Sequence, residues 1–294
     1  MTSARVRLVT AAATLAILVW QLGAGPFLDG LRAVDGWALA AASGLAVLTT
    51  MCCAWRWRIV ARGLGAELPM GAAVAAYYRS LFLNVTLPGG VAGDVHRGLS
   101  HGLRAVAWER SAGQVVQAAL TVAVLLALPS PVQGAAPYAA VTLLAAAGVA
   151  ALALRAGPAA GRSRRARLRN AVVRDVRTGL LARRAWPAVA LASALIVAGH
   201  ALTFLIAART AGVTAPASEL LPLALIVLLG AALPNVAGWG PREGVTAWAF
   251  AAAGLGASAG VTVAVAYGVM VLSASLPGAA VLVADSVHRG PARA

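Results

Sequence analysis

Long apolar runs separated by short polar stretches set the pattern of this chain. A helix needs about 20 apolar residues to cross hydrocarbon. Runs of that kind fall at roughly 6–24, 37–54, 113–128, 137–154, 187–208 and 258–284. Two further apolar stretches, about 70–87 and 219–256, are interrupted by Pro and Gly. The pattern predicts an all-α fold: a polytopic integral membrane helix bundle of about six to eight transmembrane helices with two broken or re-entrant segments. Residues 1–294 read as a single transmembrane domain, with 155–184 as a basic loop between spans.

The two interruptions echo each other. The first is Leu87-Pro88-Gly89-Gly90-Val91-Ala92-Gly93-Asp94-Val95-His96-Arg97, and the second is Leu233-Pro234-Asn235-Val236-Ala237-Gly238-Trp239-Gly240-Pro241-Arg242-Glu243. Each places Leu-Pro, then Gly, then Arg beside a carboxylate. Pro and Gly break helices, and charges at membrane depth are expensive enough to mark function. Paired breaks at corresponding places in two halves are what an inverted repeat with a site between its halves would give.

Arginine positions predict the orientation. Arg5 and Arg7 place the N-terminus in the cytoplasm, and the 25–36 loop outside. Arg56, Arg58 and Arg62 lie inside, as do Arg97, Arg104 and Arg110, so 64–110 must enter and leave by the same face. The 155–184 loop carries Arg155, Arg162, Arg164, Arg165, Arg167, Arg169, Arg174, Arg177, Arg183 and Arg184 against a single acid, Asp175, and is cytoplasmic. The C-terminal tail, with Arg289 and Arg293, is cytoplasmic as well. The second break, if re-entrant, then opens from outside. Within the basic loop Leu168, Val172, Val173, Val176 and Leu180 share one helical face, which fits either an amphipathic helix on anionic lipid or a solvated loop.

Composition agrees with the pattern. The chain is 61% hydrophobic and 11% charged, with a mean hydropathy of +0.82. The net charge of +15 comes from arginine alone. It clusters between apolar runs, which argues for topology and against nucleic acid. Arg5 and Arg7 followed by Leu8–Gly23 have the order of a signal peptide, but the spans that follow favour a retained first helix. Cys52 and Cys53 are adjacent and read as small packing residues.

At the two breaks the chain resembles a known family. Leu83-Asn84 with Leu87-Pro88-Gly89-Gly90, Gly93-Asp94 and Arg97 is similar to the first motif of the lysylphosphatidylglycerol synthase transmembrane family, also called flippase-like membrane proteins. Gly238-Trp239-Gly240-Pro241-Arg242-Glu243-Gly244 is similar to its second motif, although Pro241 stands where a smaller or branched residue is usual. The resemblance implies a multi-pass protein of the bacterial inner (plasma) membrane that moves a phospholipid or lipid-linked head group between leaflets. Here it implies a stand-alone membrane domain without an aminoacyl transferase domain. The implied partner is membrane lipid, anionic phospholipid or a lipid-linked head group, and an oligomer is compatible with it. No cofactor is implied.

The candidate substrate-binding residues are Asn84, Pro88, Gly89, Gly90, Gly93, Asp94, Arg97, Gly238, Gly240, Arg242 and Glu243. A guanidinium binds phosphate bidentately, and a head group crossing the bilayer needs its charge compensated. Arg97 and Arg242 fit that role, or that of helix ends anchored at the interface. Asp94 and Glu243 fit partners that orient them, proton carriers, or structural ion pairs. Asn84 sits four residues before Pro88, where its amide can satisfy the broken ladder or touch a head group. Gly turns can also expose N–H groups to phosphate.

Gln114, Gln117 and His200 read as interhelical hydrogen-bonding residues. Trp20, Trp37, Trp55, Trp57 and Trp186 read as interface anchors. Close spacing of small residues, as at Gly256 and Gly260 or Ala264 and Gly268, reads as helix packing. Tyr77, Tyr78 and Arg79 have no assigned role. His96 and His101 are too isolated to propose a metal.

Two other functions stay open at this level. One is a membrane-embedded enzyme on a lipid-linked substrate, with Asp94, His96 and Arg97 as base and phosphate binder. No Gly-x-Ser-x-Gly or His-Glu-x-x-His accompanies them. The other is a non-transporting membrane accessory protein. No Walker sequence is present either, so a translocator would run on a gradient or mass action.

Overall fold

The computed structural model describes residues 3–87, 92–156, 163–231 and 239–288. These residues form helices joined by short turns, with no strand among them. Helix α1 (Ser3–Leu22) leads into the short α2 (Gly25–Ala33), and the apolar part of α1 meets α2 at 99°. Asp35 accepts the backbone N–H of Ala38 at 2.7 Å and starts α3 (Gly36–Gly63), as an N-cap should. Two short helices follow, α4 (Met70–Thr86) and α5 (Ala92–His101), then the long α6 (Leu103–Ala127) and α7 (Ala136–Arg155). The basic loop contains α8 (Arg164–Asp175), capped by Ser163, and a wide π turn at Val176–Leu180. Helix α9 (Ala185–Thr210), the short pair α10 (Ala217–Gly230) and α11 (Pro241–Ala252), and finally α12 (Ala257–Ser275) and α13 (Pro277–His288) complete the chain.

Five stretches are long and apolar enough to cross a membrane: Gly36–Gly63, Leu103–Ala127, Gln133–Arg155, Ala185–Thr210 and Ala257–Asp285. The bent α1–α2 pair makes six if it counts as one span. The protein is therefore a multi-pass all-α bundle.

Both motif-bearing segments are helical hairpins. Helix α4 packs on α5, and α10 packs on α11. At 1.5 Å per residue these helices are about 25, 15, 21 and 18 Å long. Each falls short of the roughly 30 Å of hydrocarbon, and in the first pair Asn84 meets Gly93 while Tyr77 meets Arg97, so the chain turns back on itself. Contacts along α3 and α9 fix the relative sides. Thr49 meets Gly199 and Arg56 meets Ser193, so the two helices run antiparallel. Gly63, at the end of α3, meets the π turn just before α9 begins. Helix α4 follows the end of α3 and α10 follows the end of α9, so the hairpins enter from opposite sides. Opposite entry of the two segments is what a re-entrant reading of both breaks expects.

Each hairpin has its own core. Ala54, Trp57 and Ala61 of α3 pack with Ala73, Ala76 and Tyr77 of α4 and with Ala105 and Val106 of α6. On the other side Phe204 of α9 is fully buried between Phe250 of α11, at 6.3 Å between ring centres, and Tyr267 of α12, at 6.0 Å. Small residues let backbones approach, as expected where lipid supplies no hydrophobic drive between helices. Gly260 of α12 lies against the Thr246 carbonyl of α11. Helix α7 packs on α6 and turns Leu144, Val149 and Leu152 outward, as a lipid-facing helix does.

The basic loop is tied down by its one acid. Asp175 is buried and accepts hydrogen bonds from Arg104 Nε (2.9 Å), from Arg104 Nη2, and from Trp108 Nε1 (3.1 Å), all on α6. Leu168 and Val172 of α8 stay exposed. Asp175→Ala should release this loop. A charged hydrogen bond contributes about 1.5–3 kcal/mol, so amide exchange across 164–180 is expected to rise about tenfold or more. Unchanged exchange in a deuterium-uptake experiment would show that the clasp does not hold the loop.

Candidate functional site

The first motif builds a buried charge cluster. Helix α5 presents Asp94 and Arg97 one turn apart, and Arg97 Nη2 donates to Asp94 Oδ1 at 3.0 Å. The same nitrogen donates to Glu109 Oε2 on α6 at 3.2 Å. Glu109 is completely buried and also holds Arg56 of α3, through Nε at 2.9 Å and through Nη2. Arg56 Nη1 reaches Ser193 of α9 at 2.9 Å, and its guanidinium lies against Gly113, where a Cβ would come within 2.6 Å of it. Asp94 is held by Ser80 (3.1 Å), by Asn84 (3.1 Å) and by Arg110, which is partly exposed. Three guanidinium groups thus share two carboxylates.

Arg97 sits at the centre of that imbalance. It is 1% exposed, and its Cζ lies 3.9 Å from the Tyr77 ring centre and 4.6 Å from that of Trp57. This is cation–π geometry. Its Nε and Nη1 have no hydrogen-bond partner among the described residues.

Among the described residues Asn84 reaches across to α5. Its Oδ1 accepts the Gly93 N–H of α5 at 2.8 Å while its Nδ2 donates to Asp94. The amide clasps the two arms of the hairpin. Gly93 fits because its Cα faces the Ser80 backbone, which a Cβ would strike.

The second motif builds a smaller, balanced unit. Gly240, at φ +110°, precedes Pro241 at the start of α11, a backbone state that favours glycine. Glu243 Oε2 accepts the Gly240 N–H at 2.6 Å, and Oε1 takes Arg242 Nε (3.0 Å) and Nη2 (2.6 Å). Arg242 lies 5.6 Å from the Trp239 ring centre and 5.4 Å from that of Tyr267. Gly268 of α12 seats it, with the Cβ position 2.5 Å from Nη2. Pro88, Gly89, Gly90 and Gly238 lie outside the described residues.

The two arginines do not meet among the described residues: Arg97 stands with Asp94, Glu109, Trp57 and Tyr77, and Arg242 with Glu243 and Tyr267. A narrow, largely apolar cleft lies between α3, α4, α9 and α12. Thr50 and Cys53 of α3 line it just above Arg56, and Leu81 and Val85 of α4 line it on either side of Asn84. His200 of α9 lines it as well, and its Nδ1 lies 3.3 Å from the Tyr267 hydroxyl, on the ring beside Arg242. The interhelical role expected of His200 is therefore present.

Several cluster members escape a reading by motif. Arg56 and Arg110 read as topology arginines and Glu109 had no role. Trp57, expected at the interface, is fully buried beneath Arg97. Arg79 pairs with Asp285 of α13, fastening the last helix to α4. Among the described residues no group of three or more His, Cys, Asp or Glu could hold a metal ion.

A family model described as the lysylphosphatidylglycerol synthase TM region matches residues 5–278 of the 294. No curated protein and no solved structure matches the chain significantly.

Proposed function

The chain belongs to the family of the lysylphosphatidylglycerol synthase TM region, and from that premise we propose that it is a lipid translocator, with the Arg97 cluster as its head-group site. One observation carries this reading. A buried cluster of three guanidiniums and two carboxylates has one positive charge in excess, and two donor nitrogens of its central arginine are unbonded among the described residues. Buried donors without partners are rare and costly. A phosphodiester brings one negative charge and two acceptor oxygens, which would satisfy both deficits. The apolar cleft between α3, α4, α9 and α12 offers a path for acyl chains, and Arg110 is the partly exposed member of the charge cluster. Arg242 stays committed to Glu243. Hairpins that enter from opposite sides suit alternating access by rocking. The proposed setting is the bacterial inner membrane, with the arginine-rich side in the cytoplasm.

Arg97→Met tests the assignment by separating stability from transport. Without Arg97, two guanidiniums face two carboxylates, Glu109 keeps Arg56, and methionine fills the space between Trp57 and Tyr77. The melting temperature is expected to hold or rise. Movement of a fluorescent anionic phospholipid in proteoliposomes is expected to fall about tenfold to a hundredfold, the worth of a lost charge-assisted bond. Equal movement by wild type and Arg97→Met ends the head-group assignment. Conversion of the lipid to a new species would point to an enzyme instead.

A further inference from the structure

A second arginine-lined pocket lies apart from the Arg97 cluster, and nothing in the proposed transport uses it. It is a solvent-open pocket where the end of α3 meets the π turn and the start of α9. Arg58 and Arg62, one helical turn apart on α3, line one wall, and Arg184 with Thr178 lines the other. Trp55 lines it too and is partly exposed.

The charge here is uncompensated. No carboxylate lines the pocket. Arg58 Nε donates to the Leu68 carbonyl at 2.7 Å, and no ion pair is formed by Arg58, Arg62 or Arg184 among the described residues. Ala185, also in the lining, is the first residue of the 26-residue helix α9. The positive end of that helix dipole therefore adds to the three guanidiniums. Arg56 and Arg58 lie two residues apart on α3 and serve different places, the first the interior cluster and the second this pocket.

We propose that this pocket binds the phosphate head of an anionic phospholipid, as a resident lipid site separate from the transport path. Basic pockets between membrane helices on the arginine-rich side are suited to such heads. Guanidiniums on opposite walls can fork onto phosphate oxygens from both sides. Trp55 and Ile59 supply the apolar margin where glycerol and acyl carbons begin, and tryptophan favours that depth. The site does not depend on the translocator reading, since no residue of the Arg97 cluster enters it.

Native mass spectrometry of the delipidated full-length protein tests it, with titrations of phosphatidylglycerol, phosphatidylcholine and inorganic phosphate. Phosphatidylglycerol is expected to bind, phosphatidylcholine to bind much more weakly, and millimolar phosphate to leave bound lipid in place. The triple variant Arg58→Gln, Arg62→Gln, Arg184→Gln should bind phosphatidylglycerol about tenfold or more weakly. The control Arg164→Gln, Arg165→Gln, Arg167→Gln removes the same charge from α8 and should bind within about twofold of wild type. The single exposed substitution Arg184→Glu should weaken binding in the same direction without touching the core. Equal losses in the two triple variants, or equal binding of both lipids, would show general charge attraction and overturn the site. Displacement of lipid by inorganic phosphate would assign the pocket to free phosphate and overturn the lipid.

Discussion

Glu109→Ala is expected to lower stability by about 3–5 kcal/mol, the cost of removing one partner from a buried ion pair. Glu109 is the hub of the interior cluster: both its oxygens are in use, one for Arg56 and one for Arg97. Without it three guanidiniums would face Asp94 alone, and Arg56 would keep only the Ser193 hydroxyl. Glu109→Gln retains one acceptor oxygen but loses the charge, so an intermediate loss is expected. The double variant Arg56→Met, Glu109→Leu removes the charges together. It should be more stable than Glu109→Ala, because it leaves one surplus guanidinium beside Asp94 where Glu109→Ala leaves two. Unfolding in mixed detergent micelles, with all variants in one lipid background, provides the comparison. A Glu109→Ala loss below about 1 kcal/mol would place the cluster in contact with water.

That hub was hidden in the sequence for a physical reason. Hydropathy ends a span at its first charges, so α3 was expected to stop near residue 54 and α6 to start near 113. Both helices continue, to Gly63 and from Leu103, because their charges meet one another. Arg56 and Glu109 are 53 residues apart, and no local pattern links them. The ion pairs that were legible, Asp94 with Arg97 and Arg242 with Glu243, lie within one helical turn. Trp57 misled in the same way: a tryptophan near the end of an apolar run fits an interface anchor until the helix is seen to continue.

The return of the first broken segment was legible because topology constrains it, whereas broken and re-entrant readings stayed open for both segments. Arginines on both sides of 64–110 require a return to the starting face, and α4 and α5 make that return. What closes the hairpin was not legible. Asn84 was expected to repair the ladder at Pro88 or to touch a head group, and its partners among the described residues stand on the opposing helix. A side chain next to a break is as well placed to reach across it as to mend it. The small-residue spacing at Gly268 read as packing alone, whereas the missing Cβ makes room for a guanidinium.

Gly93→Ala carries the second large effect, because the atoms a Cβ would meet cannot move aside. They are the carbonyl oxygen, Cα and carbonyl carbon of Ser80, all backbone of α4. Overpacking a close contact costs about 1–3 kcal/mol when side chains can rearrange, and more when they cannot. A loss of about 3 kcal/mol or more is therefore expected. Gly98, on the same helix, is the control. A Cβ there would first meet Leu103 Cδ2, the end of a flexible side chain, so Gly98→Ala should cost about 1 kcal/mol or less. The two variants also differ in reach. Moving α5 away from α4 would stretch the Asn84 clasp and carry Asp94 and Arg97 out of register with Glu109, so lipid movement should fall with stability in Gly93→Ala alone. Amide exchange of α5 provides the local readout: the Gly93 N–H, held by Asn84 Oδ1 at 2.8 Å, should lose protection in Gly93→Ala and keep it in Gly98→Ala. If the two alanine variants prove equally stable and equally protected, then α4 and α5 are not in backbone contact, and the positioning of Arg97 needs another cause.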